Sequence, residues 1–233
     1  RLEGVTSGNI YLNDFFNHFT ANADLKVEQF RMNDDSVGLV NLSAAYDQQT
    51  GNLPFSVASP NPDYRFKASG NYNIKDSTQK AFYTDIDLSD TKIDMLHYFL
   101  SDLISDIKGK ASGQLRISGD VNAPDLIGTL QLRKAGMKIN YTQVYYTIDS
   151  ATISFTEEGI DFHRFTISDK YNNTGTVSGK LFEKGFSNLV FDFDLATNKL
   201  LLIDTKATDN SMFYGKAIGK ASRSEEHTSE LQS

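Results

Sequence analysis

Three of the four histidines, outside the C-terminal residues 223–233 that hold His227, are candidates for acid–base or metal chemistry: His18, His97 and His163. They fall in separate stretches, and none has a second His or a Glu at the spacing that zinc ligands take on a helix or strand. An isolated histidine is more often a hydrogen-bonded structural residue than a ligand or a catalytic base. The histidines therefore indicate neither a metal centre nor an acid–base site.

Two pairs of aspartates offer a second possibility. Asp85 with Asp87, and Asp192 with Asp194, each put two carboxylates on one side of an extended strand. Such a pair could bind calcium or supply half of an acid–base pair. The alternate positions in both stretches are mainly aromatic or aliphatic, so the simpler interpretation is that each pair marks the solvent side of a strand.

The rest of the composition points away from catalysis. The chain has no cysteine, and it contains no phosphate-binding loop, nucleophile elbow or zinc-protease motif. Its net charge of −7 is mildly acidic, with no basic patch for nucleic acid. We therefore expect no enzyme activity, no catalytic residue, no metal, no cofactor and no nucleic-acid partner.

Alternation of apolar and polar residues is the dominant pattern. In 37–46, 64–74, 82–88 and 189–195, every second residue is mostly apolar or small, and the residues between are mostly polar. Clusters rich in Gly, Asn and Asp separate these stretches, as in short loops between antiparallel strands. The pattern predicts an all-β protein whose strands have one apolar face and one wet face.

Glycine recurs at one place within the strand pattern. The segments FKASGNY, GKASGQL, GTVSGKL and GKAIGKA share a Gly at the same position, which is Gly70, Gly113, Gly179 and Gly219 in turn. The spacing between copies varies, so this is not a solenoid of fixed period. Glycine inside a strand predicts a bend or a close approach of a neighbouring backbone.

Two stretches depart from simple alternation. Apolar residues shift from even to odd numbers between Phe162 and Phe165, which predicts a β-bulge at His163 and Arg164. Residues 91–108 instead predict an amphipathic helix, with Gly109 just past its end. Its apolar stripe consists of Ile93, Leu96, Leu100, Leu103, Ile104 and Ile107.

The last residues do not continue the pattern. Residues 223–233 read RSEEHTSELQS, which matches a translated sequencing adapter, and we exclude them from the interpretation. We expect residues 1–222 to be an internal piece of a longer protein, as in a metagenomic fragment.

One stretch resembles a known family. Residues 105–132 follow the pattern G-x-L-x-I-x-G-x-x-x-x-P-x-L-x-G-x-L-x-L of the TamB (translocation and assembly module) and AsmA-like proteins, and residues 208–219, TDNSMFYGKAIG, resemble a segment of TamB-type proteins from the Bacteroidetes. The matching residues of the first pattern are Gly113, Leu115, Ile117, Gly119, Pro124, Leu126, Gly128, Leu130 and Leu132.

This resemblance implies a fold and a function. It implies a long curled antiparallel sheet, the β-taco, inside a periplasmic protein anchored in the inner membrane. It also implies phospholipid transport to the outer membrane, a role in outer-membrane biogenesis, and partnership with a BamA-type barrel protein through regions missing here. The expected lining of the lipid groove is Leu115, Ile117, Leu130, Leu132, Val177, Leu181, Leu189, Phe191, Phe193 and Leu195.

Two other functions stay open at this point. The apolar strand faces could pack against each other as the filled core of a structural or adhesive β-repeat scaffold. A carbohydrate-active β-helix enzyme would need converging acidic groups on one outer face, and the sequence offers none.

Overall fold

This computed structural model describes residues 1–33, 35–76, 82–101, 103–120, 123–182, 190–209 and 214–221, and within them the chain forms thirteen β-strands and one short helix. The first six strands are β1 Leu2–Asn13, β2 Thr20–Met32, β3 Asp35–Asp47, β4 Asn52–Ser59, β5 Phe66–Asn73 and β6 Phe82–Lys92. A 3₁₀ turn, Asp94–Leu96, and helix α1, His97–Leu100, follow. The remaining strands are β7 Ile104–Asp120, β8 Ala123–Ile139, β9 Val144–Thr156, β10 Gly159–Ser168, β11 Thr174–Phe182, β12 Val190–Thr205 and β13 Gly215–Ala221.

The strands form one antiparallel sheet in sequence order, from β1 at one edge to β13 at the other. Each strand pairs with the strands immediately before and after it in the chain, as short turns between alternating strands favour. The sheet does not close on itself, because β1 and β13 are its two edges. The all-β, antiparallel prediction is confirmed.

The amphipathic helix predicted at residues 91–108 is wrong. Strand β6 continues to Lys92, α1 spans only His97–Leu100, and β7 already begins at Ile104. Strand β7 has a bulge between Ser105 and Lys108, and the apolar residues Ile104 and Ile107 on its two sides are three positions apart in the sequence. That spacing is also the spacing of a helix, so the pattern was ambiguous. No helix among the described residues is long and apolar enough to cross a bilayer.

Bulges occur in many of the strands. Gln29, Asp90, Asp106, Lys134 and His163 have positive φ angles of 47–55°, and each lies at an extra residue in its strand or beside one. The bulge predicted at His163 is confirmed, since the register shifts between Asp161 and Arg164. Each extra residue bends the strand and returns the apolar side chains to the same face.

Three of the four predicted strand glycines, Gly70, Gly113 and Gly179, lie against a neighbouring backbone, whereas a Cβ on Gly219 would meet only the Leu202 side chain, at 3.0 Å. A Cβ on Gly70 would lie 2.0 Å from the carbonyl oxygen of Tyr83, and one on Gly113 would lie 2.1 Å from that of Thr129. Both distances are far inside van der Waals contact, so only glycine fits at these two positions.

The buried side chains gather at one end of the sheet, which we call the packed end. It contains the turns at 60–65, 93–103, 140–143 and 169–173, whereas the turns at 14–19, 48–51 and 157–158 lie at the opposite, open end. Of the two buried clusters, the smaller consists of Val37, Val40 and Tyr64. The larger consists of Ile93, Ile107, Ala111, Leu132, Ala135, Ile148, Ala151, Ile167 and Leu200.

The segment between β6 and β7 joins these clusters. Ile93 belongs to the larger cluster, and Met95 packs against the smaller one. The Tyr98 hydroxyl donates to the carbonyl oxygen of Met32 at 3.2 Å, which fixes the segment to the end of β2. Through Ile93 and Met95, this segment therefore covers part of the apolar face at the packed end.

Deleting His163 should test whether the bulge preserves the apolar face. Without the extra residue, Phe165 and Ile167 would turn to the solvent side, and losing the burial of two large apolar side chains should lower the free energy of unfolding by about 4 kcal/mol. Urea denaturation of the full chain measures this. The control is His163→Gly, which keeps the bulge; an equal loss in both variants would contradict the argument.

Candidate functional site

A continuous row of apolar residues crosses twelve of the strands. Each member faces the next across a strand pair, and every member is apolar or glycine. Because directly paired residues point to the same face, the row lies on one side of the sheet. In order it consists of Gly8, Leu25, Leu42, Val57, Ala68, Ile86, Leu115, Gly128, Phe155, Ile160, Leu181 and Phe191. At the usual strand separation it is roughly 50 Å long.

The neighbouring row, one residue away in each strand, is polar at all but one position and lies on the other face. It consists of Ser7, Lys26, Asn41, Ala58, Lys67, Asp87, Gln114, Thr129, Ser154, Asp161, Lys180 and Asp192. The sheet therefore has an apolar face and a polar face along almost its whole width.

The side chains of the apolar row are neither fully buried nor fully exposed to solvent. From Leu25 to Leu181 its members are half-buried, whereas Leu200 and Leu201 at the packed end are 0% and 1% exposed. Residues of a core sealed between two packed layers lose nearly all their exposure. Among the described residues, the row therefore has only partial cover, supplied by its neighbours on the same face.

The predicted lining residues occupy this face to different depths. Leu115 and Leu181 are members of the row, Ile117 and Leu130 are half-buried beside it, and Phe193 is 43% exposed. Three more of the predicted residues lie in or against the larger buried cluster: Leu132 is a member, and Val177 and Leu195 pack against it.

Two predicted lining residues fall wholly or partly outside the described part of the chain. Leu189 lies outside it. Phe191 pairs with Leu181 in β12, but its side chain is not among the described side chains. Lipid contact at all ten predicted positions stays a prediction.

No protein-family model, curated protein or solved structure matches this chain. Its site has to be interpreted from its own geometry.

The histidines lie far apart in the sheet and have separate partners. The Nε2 atom of His18 is 2.9 Å from Asp47 Oδ1, and that of His163 is 2.8 Å from Ser154 Oγ. His97 Nδ1 lies 2.8 Å from the carbonyl oxygen of Asp94. Among the described residues, no three His, Asp or Glu side chains are grouped closely enough to hold a metal ion.

The aspartate pairs lie on the polar face, and Asp85 has a clear partner there. Arg116 donates to both carboxylate oxygens of Asp85, with Nε–Oδ1 at 2.6 Å and Nη2–Oδ2 at 2.8 Å. The hydrogen bonds and charge of Arg116 hold the pKa of Asp85 below its ordinary value. Asp85 is therefore an ionised ion-pair partner and is unsuited to donating a proton.

A buried carboxylate holds the packed end together. Asp169 is 4% exposed and accepts backbone hydrogen bonds from Tyr171 and Asn173 at Oδ1 and from Leu201 at Oδ2, besides one from the Asn173 side chain. Burial opposes ionisation, but these four hydrogen bonds outweigh it and lower the pKa of Asp169. The carboxylate thus ties the β10–β11 turn to β12.

Strand β12 also contacts β9, three strands away. The Tyr146 hydroxyl donates to the carbonyl oxygen of Leu201 at 2.7 Å, and the Asp204 amide donates to the carbonyl oxygen of Thr142 at 2.9 Å. Burial, with the nearby charge of Asp169, raises the pKa of Tyr146 to about 12. The sheet therefore folds back on itself at this corner.

The Asp169→Asn substitution should destabilise the packed end at neutral pH. The asparagine amide keeps one acceptor oxygen, but its NH₂ group would face the N–H donors that now bind Oδ2. We expect the free energy of unfolding to fall by about 2 kcal/mol. Because the folded pKa is lowered, the ionised group stabilises the fold above its unfolded pKa of about 3.9, and this stability is lost as the pH falls through the folded pKa.

Urea denaturation of both proteins between pH 7 and pH 2 measures the effect. The difference between them should shrink at the acid end of the range. The matched control is Asp149→Asn, at an exposed position of β9. A loss that stays constant with pH would contradict the role given to the charge of Asp169.

Proposed function

We propose that this chain is a section of a hydrophobic β-groove of the TamB/AsmA-like kind, which carries phospholipid acyl chains between the inner and outer membranes of a bacterium. In this proposal the sheet curls about the apolar row, and the row forms the floor of the groove. The parent protein is anchored in the inner membrane, lies in the periplasm and works with a BamA-type barrel protein.

The half-buried apolar row is the observation that carries the proposal. It runs without interruption by a polar residue from β1 to β12, and no described member from Leu25 to Leu181 is sealed away. Its length of roughly 50 Å exceeds the thickness of one leaflet of hydrocarbon, about 15 Å. A complete acyl chain could therefore lie along it without meeting a polar side chain of the row.

The energetics suit transfer without tight binding. Exposing an acyl chain to water costs about 0.8 kcal/mol per methylene, or on the order of 13 kcal/mol for a chain of ~16 carbons. A surface of Leu, Ile, Val and Phe removes most of this cost, because it resembles the bilayer interior. The lipid then moves between two similar environments, and the groove lowers the barrier between them.

The bulges support the curled shape. Because bulges bend their strands, a series of them across the sheet favours the concave face that this proposal requires. Residues flanking several of these bulges, such as Ile107 and Leu132, belong to the buried cluster, whereas the apolar row lies farther toward the open end. The packed end would then be the closed side of the groove.

The second candidate is a structural scaffold with a filled core. The complete burial of Val144, Leu200 and Leu201 favours it for the corner between β9 and β12, which leaves no space for a ligand. The two candidates differ over the apolar row, which a scaffold would cover and a conduit would leave accessible.

Photo-crosslinking at adjacent positions distinguishes them. A photoreactive amino acid at Phe193 or Leu115, on the apolar face, should capture phospholipid from vesicles. The same group at Asp192 or Gln114, one residue away on the polar face, should capture little. Mass spectrometry of the adducts measures capture, and equal labelling within both pairs would sink the conduit proposal.

A charge placed in the row should block transfer. Leu115→Asp puts a carboxylate among Ile86 and Gly128, and an acyl chain could pass it only beside an unpaired charge. We expect phospholipid transfer between donor and acceptor vesicles to fall at least tenfold, while Gln114→Asp on the opposite face leaves it unchanged. Circular dichroism establishes that both variants are folded; normal transfer by a folded Leu115→Asp protein would count against the groove.

A further inference from the structure

The β1–β2 turn, residues 14–19, carries exposed aromatic side chains at the open end of the sheet. Phe16 is 98% exposed and Phe15, beside it, is 63% exposed. Leu12, near the end of β1, is 48% exposed as well. One exposed apolar side chain is ordinary, but large apolar side chains grouped at one turn indicate a surface that contacts a protein or a membrane.

Hydrogen bonds hold this turn in place, so the exposure of Phe16 is part of the fold. The Nε2 atom of His18 is 2.9 Å from Asp47 Oδ1. The Phe19 amide donates to Gln48 Oε1 at 3.1 Å, and the Phe19 carbonyl oxygen accepts from the Gln48 amide at 3.0 Å. The base of the turn is therefore fixed to the end of β3 and the turn after it, and Phe16 stays clear of the sheet.

The polar groups of the turn bond within the chain and do not point to a charged partner. Asp14 Oδ1 accepts hydrogen bonds from the backbone amide and the side-chain amide of Asn17, both at 3.2 Å. No Lys or Arg occurs in residues 2–25, so the turn has no cation of its own to attract an anionic surface. What the turn offers a partner is apolar, aromatic surface.

Apolar residues connect the turn to the apolar row on the same face of the sheet. Two lines of paired residues lie between them: Leu12, Ala21 and Tyr46, and then Ile10, Ala23, Ala44 and Phe55. The ring of Phe19 lies 5.3 Å from that of Phe15 and 6.1 Å from that of Tyr46, measured between centroids. The aromatic turn is therefore one end of the apolar face.

We propose that the β1–β2 turn docks on a phospholipid bilayer by inserting Phe16, with Phe15 at the level of the head groups. Aromatic side chains favour the region between head groups and hydrocarbon, and a fluid bilayer accepts them without a shaped pocket. The choice of a bilayer over a protein pocket rests on the proposed function, because docking here brings a source of acyl chains to the end of the apolar face. Insertion itself is measured without any transport.

A tryptophan in the turn tests insertion, because the native chain contains no Trp. The full chain with Phe16→Trp is mixed with phosphatidylcholine vesicles, and its fluorescence should move to shorter wavelengths as the indole leaves water. The matched control is Leu2→Trp at the other end of β1, where the native side chain is 68% exposed. Its emission should stay unchanged. No shift for Phe16→Trp, or an equal shift for both variants, would overturn the proposal.

Vesicle flotation measures what the native side chain contributes. Phe16→Gln should weaken binding to phosphatidylcholine vesicles roughly tenfold, as partial burial of one aromatic ring implies, while Leu2→Gln leaves binding unchanged. Since the turn has no Lys or Arg, binding should persist at 1 M salt, where the Debye length is about 3 Å. Binding that disappears in salt would assign it to charges elsewhere and contradict insertion.

The outcomes separate docking from the groove and from a protein partner. Insertion without phospholipid transfer would remove the proposed function and leave the docking turn standing. Phospholipid transfer without a shift for Phe16→Trp would do the reverse. If Phe16→Trp shows no shift and Phe16→Gln converts a dimer to a monomer in analytical ultracentrifugation, the turn binds a second copy of the chain, and docking on a bilayer is overturned.

Discussion

Register is the constraint on which the rest of this structure depends. Side chains alternate between the two faces of a strand, so a slip of one residue in any pair would exchange apolar and polar rows in every strand beyond it. The unbroken row from Gly8 to Phe191 requires eleven successive pairings that all agree. Each bulge adds one residue to its strand, and this would turn the following side chains to the other face. The row stays apolar because the apolar residues change their spacing at the same place, as between Phe162 and Phe165.

The two ends of the sheet differ in how far the apolar face is buried. At the packed end, Ile93, Met95 and Leu200 cover part of the apolar face, and Asp169 gives four backbone and side-chain donors a buried partner. At the open end the same face has less cover and adjoins acidic turns. A single sheet needs at least one such packed region, since a fully exposed apolar face would leave it too little buried surface to fold.

Much of this could be predicted from the sequence, because alternation within a strand is a local property. The strands, the polar position of Asp85 and Asp87, and the bulge at His163 all follow from it. The helix at 91–108 was wrong for a related reason: apolar residues three apart across a bulge, such as Ile104 and Ile107, have the spacing of a helical face. The role of Asp169 in joining the β10–β11 turn to β12 was missed because it depends on the Leu201 amide, 32 residues away, and no local pattern signals such a contact.

The strictly sequential order of the strands has a consequence for how the protein forms. Nearly all contacts join strands that follow one another in the chain, so closing each loop costs little entropy. The resulting low contact order favours rapid folding. A chain of this kind can add one strand at a time as it leaves the ribosome or a translocation channel, each new strand templated by the exposed edge of the last. The return of β12 to β9, like the hydrogen bond from Tyr98 to Met32, must wait for the chain between the partners, and because β12 comes late in the chain, the corner that it forms with β9 would be the last of these contacts to form.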